Sequence, residues 1–316
     1  MMSHFERSAV MRTPSAEVRG GGKGIDVARV ARALKKDAKL LLPVGTTDIN
    51  QFASLLNSEG IPYEVSEYQG NIRVATMYQE LNSSVITIVN EEGPTISSSE
   101  WSDFLKLVDS AIQPHQIVAV MGSFPRGIGE NEVTQLAQII HQNQGLIFLD
   151  TAPHFMEWFI RAGVEIVSPN LDEAEAVLAH GAEDIFKGET THGEDRAMAA
   201  AVALCDKGVK VAIVHAGSLG AAIAIKESYE AETRVEFVPT IPVQVASVVG
   251  AGDSMAAGFI LKSEEQGDVS DFGAIDWVLS LKYGTATASA SCELGRSGDV
   301  IPERVEELFA AIVNRN

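Results

Sequence analysis

One glycine-rich turn in this chain is followed by a carboxylate, and the two together could transfer a phosphoryl group. Residues 249–259 read Val-Gly-Ala-Gly-Asp-Ser-Met-Ala-Ala-Gly-Phe, which predicts a turn that opens a helix. Amide N–H groups at a helix N-terminus can bind phosphate oxygens, and Gly250 and Gly252 leave room for that approach. Asp253 could then accept the proton of an attacking hydroxyl group. An Asp that only caps the helix gives the same pattern, so these residues alone leave both interpretations open.

A second glycine cluster, residues 20–24, also precedes a helical pattern. Gly24 follows Lys23 where a Walker A loop needs Ser or Thr, and the glycine order is not the Gly-x-Gly-x-x-Gly of dinucleotide-binding folds. Arg12, Arg19 and Arg29 lie near Lys23 in sequence, so this region could bind a small anion. A flexible turn beside a solvated basic face is the alternative interpretation.

The composition excludes several classes of partner. The chain has 316 residues and a formal net charge of −19, which disfavours nonspecific binding to nucleic acids and acidic membranes. No apolar run approaches the roughly 20 residues that span a bilayer, and the first residues lack the apolar core of a secretion signal. Cys205 and Cys292 form no disulfide framework. We therefore expect a cytoplasmic protein with no nucleic-acid and no membrane partner.

Apolar runs that alternate with amphipathic segments predict an α/β fold with a doubly wound, mostly parallel sheet and helices on both faces. The predicted strands are 116–121, 146–150, 165–168 and 211–215, and the predicted C-terminal helices are 251–265, 271–291 and 302–314. Ligands of such folds bind beyond the carboxyl ends of the strands. Asp150, Ser168 and His215 stand at those ends.

Between residues 61 and 90 the pattern changes to alternating strands at 61–67, 72–78 and 84–89, with turn residues between them and no predicted helix. We interpret this as a small β-sheet lid, an excursion at about 7–19 and 61–90 from a single domain that spans residues 1–316. Exposed strand edges invite pairing or covering, so a homodimer formed through the lid is expected.

Taken together, the two glycine clusters resemble the PfkB/ribokinase family of carbohydrate kinases, in its branch of 1-phosphofructokinases, tagatose-6-phosphate kinases and the minor 6-phosphofructokinase. Residues 21–29, Gly-Gly-Lys-Gly-Ile-Asp-Val-Ala-Arg, are similar to that branch's Gly-Gly-Lys-Gly-Ile-Asn-Val-Ala-Arg. Residues 121–127 and 168–173 are similar to its Ser-Gly-Ser-Leu-Pro-Pro-Gly and Lys-Pro-Asn-x-x-Glu motifs. The resemblance runs from about Arg12 onward and implies a ribokinase-like fold that uses ATP and Mg²⁺.

The resemblance also implies a role for individual residues. Asp253 would be the catalytic base, and Gly250, Ala251 and Gly252 would form the anion hole. The implied substrate-binding residues are Arg12, Gly21, Gly22, Lys23, Asp26, Asn71 and Ser123. The implied nucleotide-binding residues are Asn170, His215, Gly217, Gly220, Ala288 and Ser289. Glu173 would hold magnesium indirectly, through water, and Asn170 and Glu173 are expected on one helix face. Helix packing is the alternative for Ala288 and Ser289, and capping is the alternative for Asn170.

The chain departs from the family pattern at five places. The family's first strand, which ends in Asn-Pro-Ala-x-Asp, has no counterpart here. Asp26 replaces Asn and is expected to repel a phosphorylated sugar. Gln69 replaces a phosphate-binding Arg, unless Arg73 takes over that contact. Ser168 replaces Lys, and His215 replaces a small hydroxyl residue.

The resulting hypothesis is a kinase that transfers phosphate from ATP to a ketohexose phosphate: fructose 1-phosphate, fructose 6-phosphate or tagatose 6-phosphate. Two alternatives stay open at this point. A catalytically weak protein could bind a sugar phosphate or a nucleotide as a sensor, which the departures favour. A kinase for a nucleoside or an unphosphorylated sugar would suit the loss of Arg at position 69.

Overall fold

The computed structural model describes residues 6, 8, 10–13, 16–80, 86–179, 193–228 and 230–315. The helices are α1 Lys23–Ala33, α2 Ile49–Glu59, α3 Ser98–Ala111, α4 Glu130–Gln142, α5 Pro153–Arg161, α6 Leu171–Ala179, α7 Gly193–Asp206, α8 Ala251–Glu265, α9 Trp277–Cys292 and α10 Pro302–Val313. The strands are β1 Leu40–Gly45, β2 Tyr63–Tyr68, β3 Ala75–Gln79, β4 Ile86–Asn90, β5 Ile117–Met121, β6 Leu146–Asp150, β7 Ile166–Val167, β8 Val211–His215, β9 Gly220–Ile225 and β10 Arg234–Pro239.

A six-stranded sheet in the order β10-β9-β8-β7-β6-β5 forms the centre of the molecule. Strands β5 to β8 are parallel, whereas β9 is antiparallel to both β8 and β10. Alternate residues of β6 face opposite sides: Ile147 and Leu149 pack into the core with α3 to α7, and Leu146 and Phe148 pack into the core with α1, α8, α9 and α10. The predicted doubly wound, mostly parallel sheet with helices on both faces is confirmed.

The strands β1 and β2 form a separate parallel pair, and α2 connects them. In space, no described strand pairs with the edge of β1 or of β5 that faces the other, so a gap separates the β1–β2 pair from the six-stranded sheet. A cavity of about 2270 Å³ extends into this gap, where Leu41 and Val118 are among the residues that line it. At one end of the gap the Ile117 N–H donates to the Glu264 carboxylate at 3.1 Å, in the place of a strand partner.

The strands β3 and β4 form the other two-stranded sheet, which is antiparallel. The three strands predicted between residues 61 and 90 differ in their pairing, because β2 joins β1 through a β-α-β connection while β3 and β4 pair with each other. Residues 7, 9, 14 and 15 of the first lid segment, and 81–85 of the second, lie outside the described residues.

The C-terminal helices follow the predicted pattern closely. The helix α8 has the predicted bounds, and Pro302 occupies the first turn of α10. The helix α9 begins at Trp277, because residues before it form turns and the Asp276 side chain caps the helix by accepting from the Leu279 N–H at 2.8 Å. Among the described helices, none combines the length and the apolar character that crossing a bilayer requires.

Candidate functional site

The candidate site is centred on the first turn of α8. Gly250 is the N-cap residue and adopts the left-handed conformation with φ 80°, which glycine adopts without strain. Asp253 lies in the first turn of the helix and is 8% exposed. Burial, and then the charges of Asp26 and Asp150, raise the pKa of Asp253 to about 7, although Lys23 opposes the shift. A carboxyl group with this pKa can exchange a proton near neutral pH.

The amides of this turn are only partly used by the protein. The Ala251 N–H donates to the Val248 carbonyl at 3.3 Å, and the Ser254 N–H donates to the Gly250 carbonyl at 2.8 Å. Amides in the first turn of a helix have no acceptor within the helix and favour an anion. The geometry therefore leaves Gly252 and Asp253 with the N–H groups best suited to a phosphate, whereas Ala251 is already engaged.

Lys23 connects α1 to the carboxyl end of β6. Its Nζ atom contacts Asp150 Oδ1 at 2.5 Å, and the Asp150 side chain is 5% exposed. Burial alone would lower the pKa of the Lys23 ammonium group, but the ion pair with Asp150 more than offsets this, so the pKa is raised. Lys23 is thus held as a cation in electrostatic range of Asp253 and Glu173.

Asp26 is buried in the first turn of α1, and its carboxylate is paired within the protein. Oδ1 accepts from Arg29 Nη1 at 2.5 Å, and Oδ2 accepts from the Ser297 hydroxyl group. Arg29 also pairs with Glu59. One cation is therefore shared between two carboxylates, and the expectation that Asp26 repels a phosphorylated sugar stays a prediction.

The substrate-binding residues implied by the resemblance fall into two groups. Five of them line the large cavity: Gly21, Gly22, Lys23, Asp26 and Ser123. Two do not. Arg12 is exposed. Asn71 lines a smaller cavity of about 370 Å³, which is formed by the segment that connects β2 to β3 and by the segment after β4. Arg73 lines both cavities, whereas Gln69 uses its backbone N–H to bond Glu100 at 2.6 Å.

Asn170 and Glu173 form a reciprocal pair at the start of α6. The Glu173 N–H donates to Asn170 Oδ1 at 2.9 Å, and the Asn170 N–H donates to Glu173 Oε2 at 3.0 Å. This is a capping arrangement, so Asn170 precedes the helix and does not share a face with Glu173 within it. Among the described residues no three His, Cys, Asp or Glu side chains cluster as a metal site. One carboxylate near phosphates fits Mg²⁺, which keeps most of its water and bonds to phosphate oxygens.

His215 ends β8 beside α8. The Ser168 hydroxyl and His215 Nε2 are 2.8 Å apart, and His215 Cε1 lies 3.9 Å from where a side chain on Gly252 would begin. Burial, and then the charge of Lys23, lower the pKa of His215 to about 4, so the imidazole is neutral at pH 7. The two departures from the family pattern, at 168 and 215, are therefore bonded to each other.

The other four residues that the resemblance implies for nucleotide binding differ in their surroundings. Gly217 has φ 60° with open space beyond its α carbon, whereas a side chain on Gly220 would begin 2.1 Å from the Val238 carbonyl oxygen, so packing alone accounts for that glycine. Ser289 is buried in α9, and Ala288 packs against the core that α9 shares with α8. These contacts match the packing interpretation for Ala288 and Ser289.

Two neighbours of the site had weak or no sequence signal. Asp150 ends a buried strand, which marked it as a polar residue at the ligand edge but did not reveal its bond to Lys23. Ser297 lies in a loop 271 positions from Asp26 along the chain, and nothing in its local pattern distinguishes it. Only the packing of that loop against α1 and α8 identifies it.

The chain belongs to the pfkB family of carbohydrate kinases, because the family model matches residues 2–304. A 1-phosphofructokinase from Haemophilus influenzae is 28% identical over 244 residues, which are 77% of this chain and 73% of the relative. An ATP-dependent 6-phosphofructokinase isozyme 2 from Mycobacterium tuberculosis is 26% identical over 248 residues, 78% of this chain and 68% of the relative.

Solved structures confirm the ribokinase-like fold. Phosphofructokinase-2 from Escherichia coli in complex with potassium superposes with a TM-score of 0.84 at 22% identity, covering 99% of this chain and 94% of that chain. A ribokinase from Thermotoga maritima superposes with a TM-score of 0.68 at 19% identity, covering 98% of this chain and 94% of that chain. At these identities the similarity establishes the fold alone.

Proposed function

We propose that this protein transfers the γ-phosphoryl group of ATP to a hydroxyl group of a sugar phosphate, with Asp253 as the catalytic base. The observation that carries the proposal is the buried Asp253 carboxyl group, whose pKa is raised to about 7, in the first turn of a helix with free amides. A base with a pKa near the working pH is present in its ionised form and still binds a proton well.

The proton and the phosphoryl group move in opposite directions at this turn. The hydroxyl oxygen of the sugar forms a bond to the γ-phosphorus, the bond from that phosphorus to the β–γ bridging oxygen breaks, and Asp253 takes the hydroxyl proton. The N–H groups of Gly252 and Asp253 stabilise the negative charge on the migrating group. Bound Mg²⁺ would neutralise charge on the nucleotide phosphates, with Glu173 holding its water ligands.

A ketohexose phosphate is the substrate class that we propose, with fructose 1-phosphate, fructose 6-phosphate and tagatose 6-phosphate as candidates. Lys23 and Arg73 supply positive charge along the same large cavity. An anionic substrate gains from cations that line an enclosed site. The relatives' names support the choice, since they are phosphofructokinases of two kinds.

The test is a coupled assay for ADP release with ATP and Mg²⁺ on those three sugar phosphates and on unphosphorylated sugars. Asp253→Asn removes the base and keeps the side-chain shape, so kcat should fall by about 10²–10⁴-fold. Glu303→Gln is the matched control, because it removes an exposed carboxylate from the first turn of α10. It should retain full activity.

The pH dependence provides a second measurement on the same variant. Activity should rise with pH around 7, as Asp253 ionises. Stability should change in the opposite direction: the folded pKa lies above the ordinary value of 3.8, so the contribution of this carboxyl group is complete below about pH 4 and is lost as pH rises through 7. Asp253→Asn should therefore raise the melting temperature at pH 8 and change it little at pH 4.

Three results would contradict the proposal in different ways. Wild-type turnover in Asp253→Asn would exclude Asp253 as the base. Tight binding of a sugar phosphate in calorimetry without turnover would support a sensor, which the altered positions Ser168 and His215 favour. Turnover on a nucleoside or an unphosphorylated sugar alone would replace the substrate class.

We also propose a homodimer formed through the lid. Met77 and Ile88 are directly paired on one face of the β3–β4 sheet and are 46% and 48% exposed, while Val89, on the other face, is 55% exposed. A two-stranded sheet with such a face is marginal alone and favours a covering partner. Light scattering should give the mass of a dimer for the wild type and of a monomer for Met77→Lys/Ile88→Lys. A monomeric wild type would exclude this assembly.

A further inference from the structure

A loop near the C-terminus, residues 295–299, packs between the first turns of α1 and α8. Gly298 adopts φ 75°, and a side chain on it would begin 3.0 Å from the Asp26 α carbon. A side chain on Gly250 would begin 2.3 Å from Ser297 Oγ. The hydroxyl group of Ser297 therefore touches the left-handed residue that opens α8, and both glycines permit the close approach.

The Ser297 hydroxyl group is fixed from the α1 side. It donates to Asp26 Oδ2, while Asp26 Oδ1 accepts from Arg29. Arg29 is held in turn by Glu59 at the end of α2 and by the Gly20 carbonyl. The Asp26 carboxylate is thus oriented by a buried cation, and its second oxygen is directed at Ser297.

Further contacts hold the backbone and the flanking residues of the same loop. Arg19 Nη2 contacts Asp299 Oδ1 at 3.1 Å, and Arg19 Nη1 donates to the Ser297 carbonyl at 3.4 Å. Arg296 pairs with Glu17 at 3.1 Å. The backbone and the side chain of Ser297 therefore have separate anchors, and removing the hydroxyl group leaves the backbone anchors in place.

We propose that Asp26 and Ser297 are positioning residues for the anion-binding turn: the Asp26 carboxylate holds the Ser297 hydroxyl group against Gly250 and so fixes the start of α8, from which Asp253 projects. This inference rests on the proposed function of Asp253. It also assigns Asp26 a role other than a contact with the sugar, and it gives a physical reason for a carboxylate at this position: an anion accepts strongly from both a guanidinium group and a hydroxyl group.

The first experiment is independent of any activity. Hydrogen exchange at the amides of Ala251 and Ser254, which donate to protein carbonyls in this turn, is measured in the wild type, in Ser297→Ala and in Ser270→Ala. Ser270 donates to Asp268 at 2.6 Å on the exposed surface, so its variant loses a Ser–Asp bond just beyond the C-terminal end of α8, away from the first turn of that helix. We expect exchange in this turn to be about tenfold faster in Ser297→Ala, the factor of one hydrogen bond, and unchanged in Ser270→Ala.

The second experiment measures turnover. Ser297→Ala should lower kcat about tenfold and leave the KM for the sugar unchanged. Asp26→Asn keeps a polar group within reach of Ser297 but removes a negative charge near Asp253. The charged groups around Asp253 are Asp26 and Lys23 from α1 and Asp150 from β6. The kinase activity that depends on Asp253 reaches half its maximum at a particular pH. This pH should therefore be lower in the Asp26→Asn variant than in the wild type, and it should be unchanged in the Ser297→Ala variant.

The outcomes separate this inference from the proposed function. Unchanged exchange in Ser297→Ala would overturn the positioning role, whatever the activity of the wild type. Faster exchange in Ser297→Ala than in the wild type, together with a wild type that has no kinase activity, would keep the positioning role and overturn the proposed function. A raised KM for the sugar in Asp26→Asn, with normal kcat and an unmoved pH profile, would show that Asp26 contacts substrate. If Ser297→Ala does not fold, Asp26→Asn decides between these outcomes.

Discussion

The two sides of the gap between β1 and β5 are built very differently. On one side, six strands form a continuous sheet that helices cover on both faces, and Phe148 and Leu149 in β6 are 0% exposed. On the other side, β1 and β2 pair only with each other, and residues such as Leu41 remain partly exposed beside a large cavity.

This difference in packing indicates that the two sides of the gap contribute differently to the candidate site. Asp150, Asn170 and His215 lie at the ends of buried strands in the continuous sheet, where packing on both faces restricts their movement. Lys23 and Asp26 belong to α1, which contacts both halves. The side with β1 and β2 borders the large cavity and is less tightly packed, so we expect the region around β1 to be the less stable part of the molecule.

The largest expected effect is a difference in stability between two leucines. Leu149→Ala in β6 removes a fully buried side chain and should lower the free energy of unfolding by about 2–5 kcal/mol. Leu41→Ala in β1 removes a side chain that already borders a cavity, so the loss should be about 1 kcal/mol. Urea unfolding of both variants and the wild type measures the comparison. Equal losses would mean that β1 is packed as tightly as β6.

A smaller effect, a difference in amide exchange rate between neighbouring residues, is expected along β5. The register of β5 with β6, together with the bond from the Gly122 N–H to the Asp150 carbonyl at 2.7 Å, directs the N–H groups of Val118 and Val120 toward β6. The N–H groups of Ala119 and Met121 then point into the gap. We expect Val118 and Val120 to exchange at least about tenfold more slowly than their neighbours.

Residue-resolved hydrogen exchange by NMR measures this alternation, and β6 provides the control because it has a strand on each side. Its amides should show no such period of two. Uniform protection along β5 would contradict the open gap and would show that another segment covers that edge in solution.

Local patterns were sufficient for most elements of the continuous sheet and for the C-terminal helices. Strands 146–150 and 211–215 and helix 251–265 were predicted with their observed bounds, because continuous apolar runs and a glycine turn are strong signals. The pairing of β2 with β1 was not predicted, since alternation marks a strand without naming its partner. The sequence contains α2 between β1 and β2, and that connection decides the pairing.

The candidate site was also predicted only in part. The motifs around Lys23 and Asp253 were sufficient to predict a phosphoryl-transfer site and the family, because both depend on residues that are consecutive in the chain. The partners of those residues were not predicted. Asp26 pairs with Arg29, and the hydroxyl group of Ser297 comes from a loop that meets α1 only in the folded chain.

The sequence by itself therefore determined the family and the layered α/β architecture, and it supplied the candidate residues for phosphoryl transfer. Only the tertiary structure decided that Asp253 is buried among Asp26, Asp150 and Lys23, which sets its pKa near 7. It also decided that Ser168 bonds to His215. The physical reason is that a pKa and a hydrogen bond depend on distances and on the exclusion of water between groups that are remote in the chain.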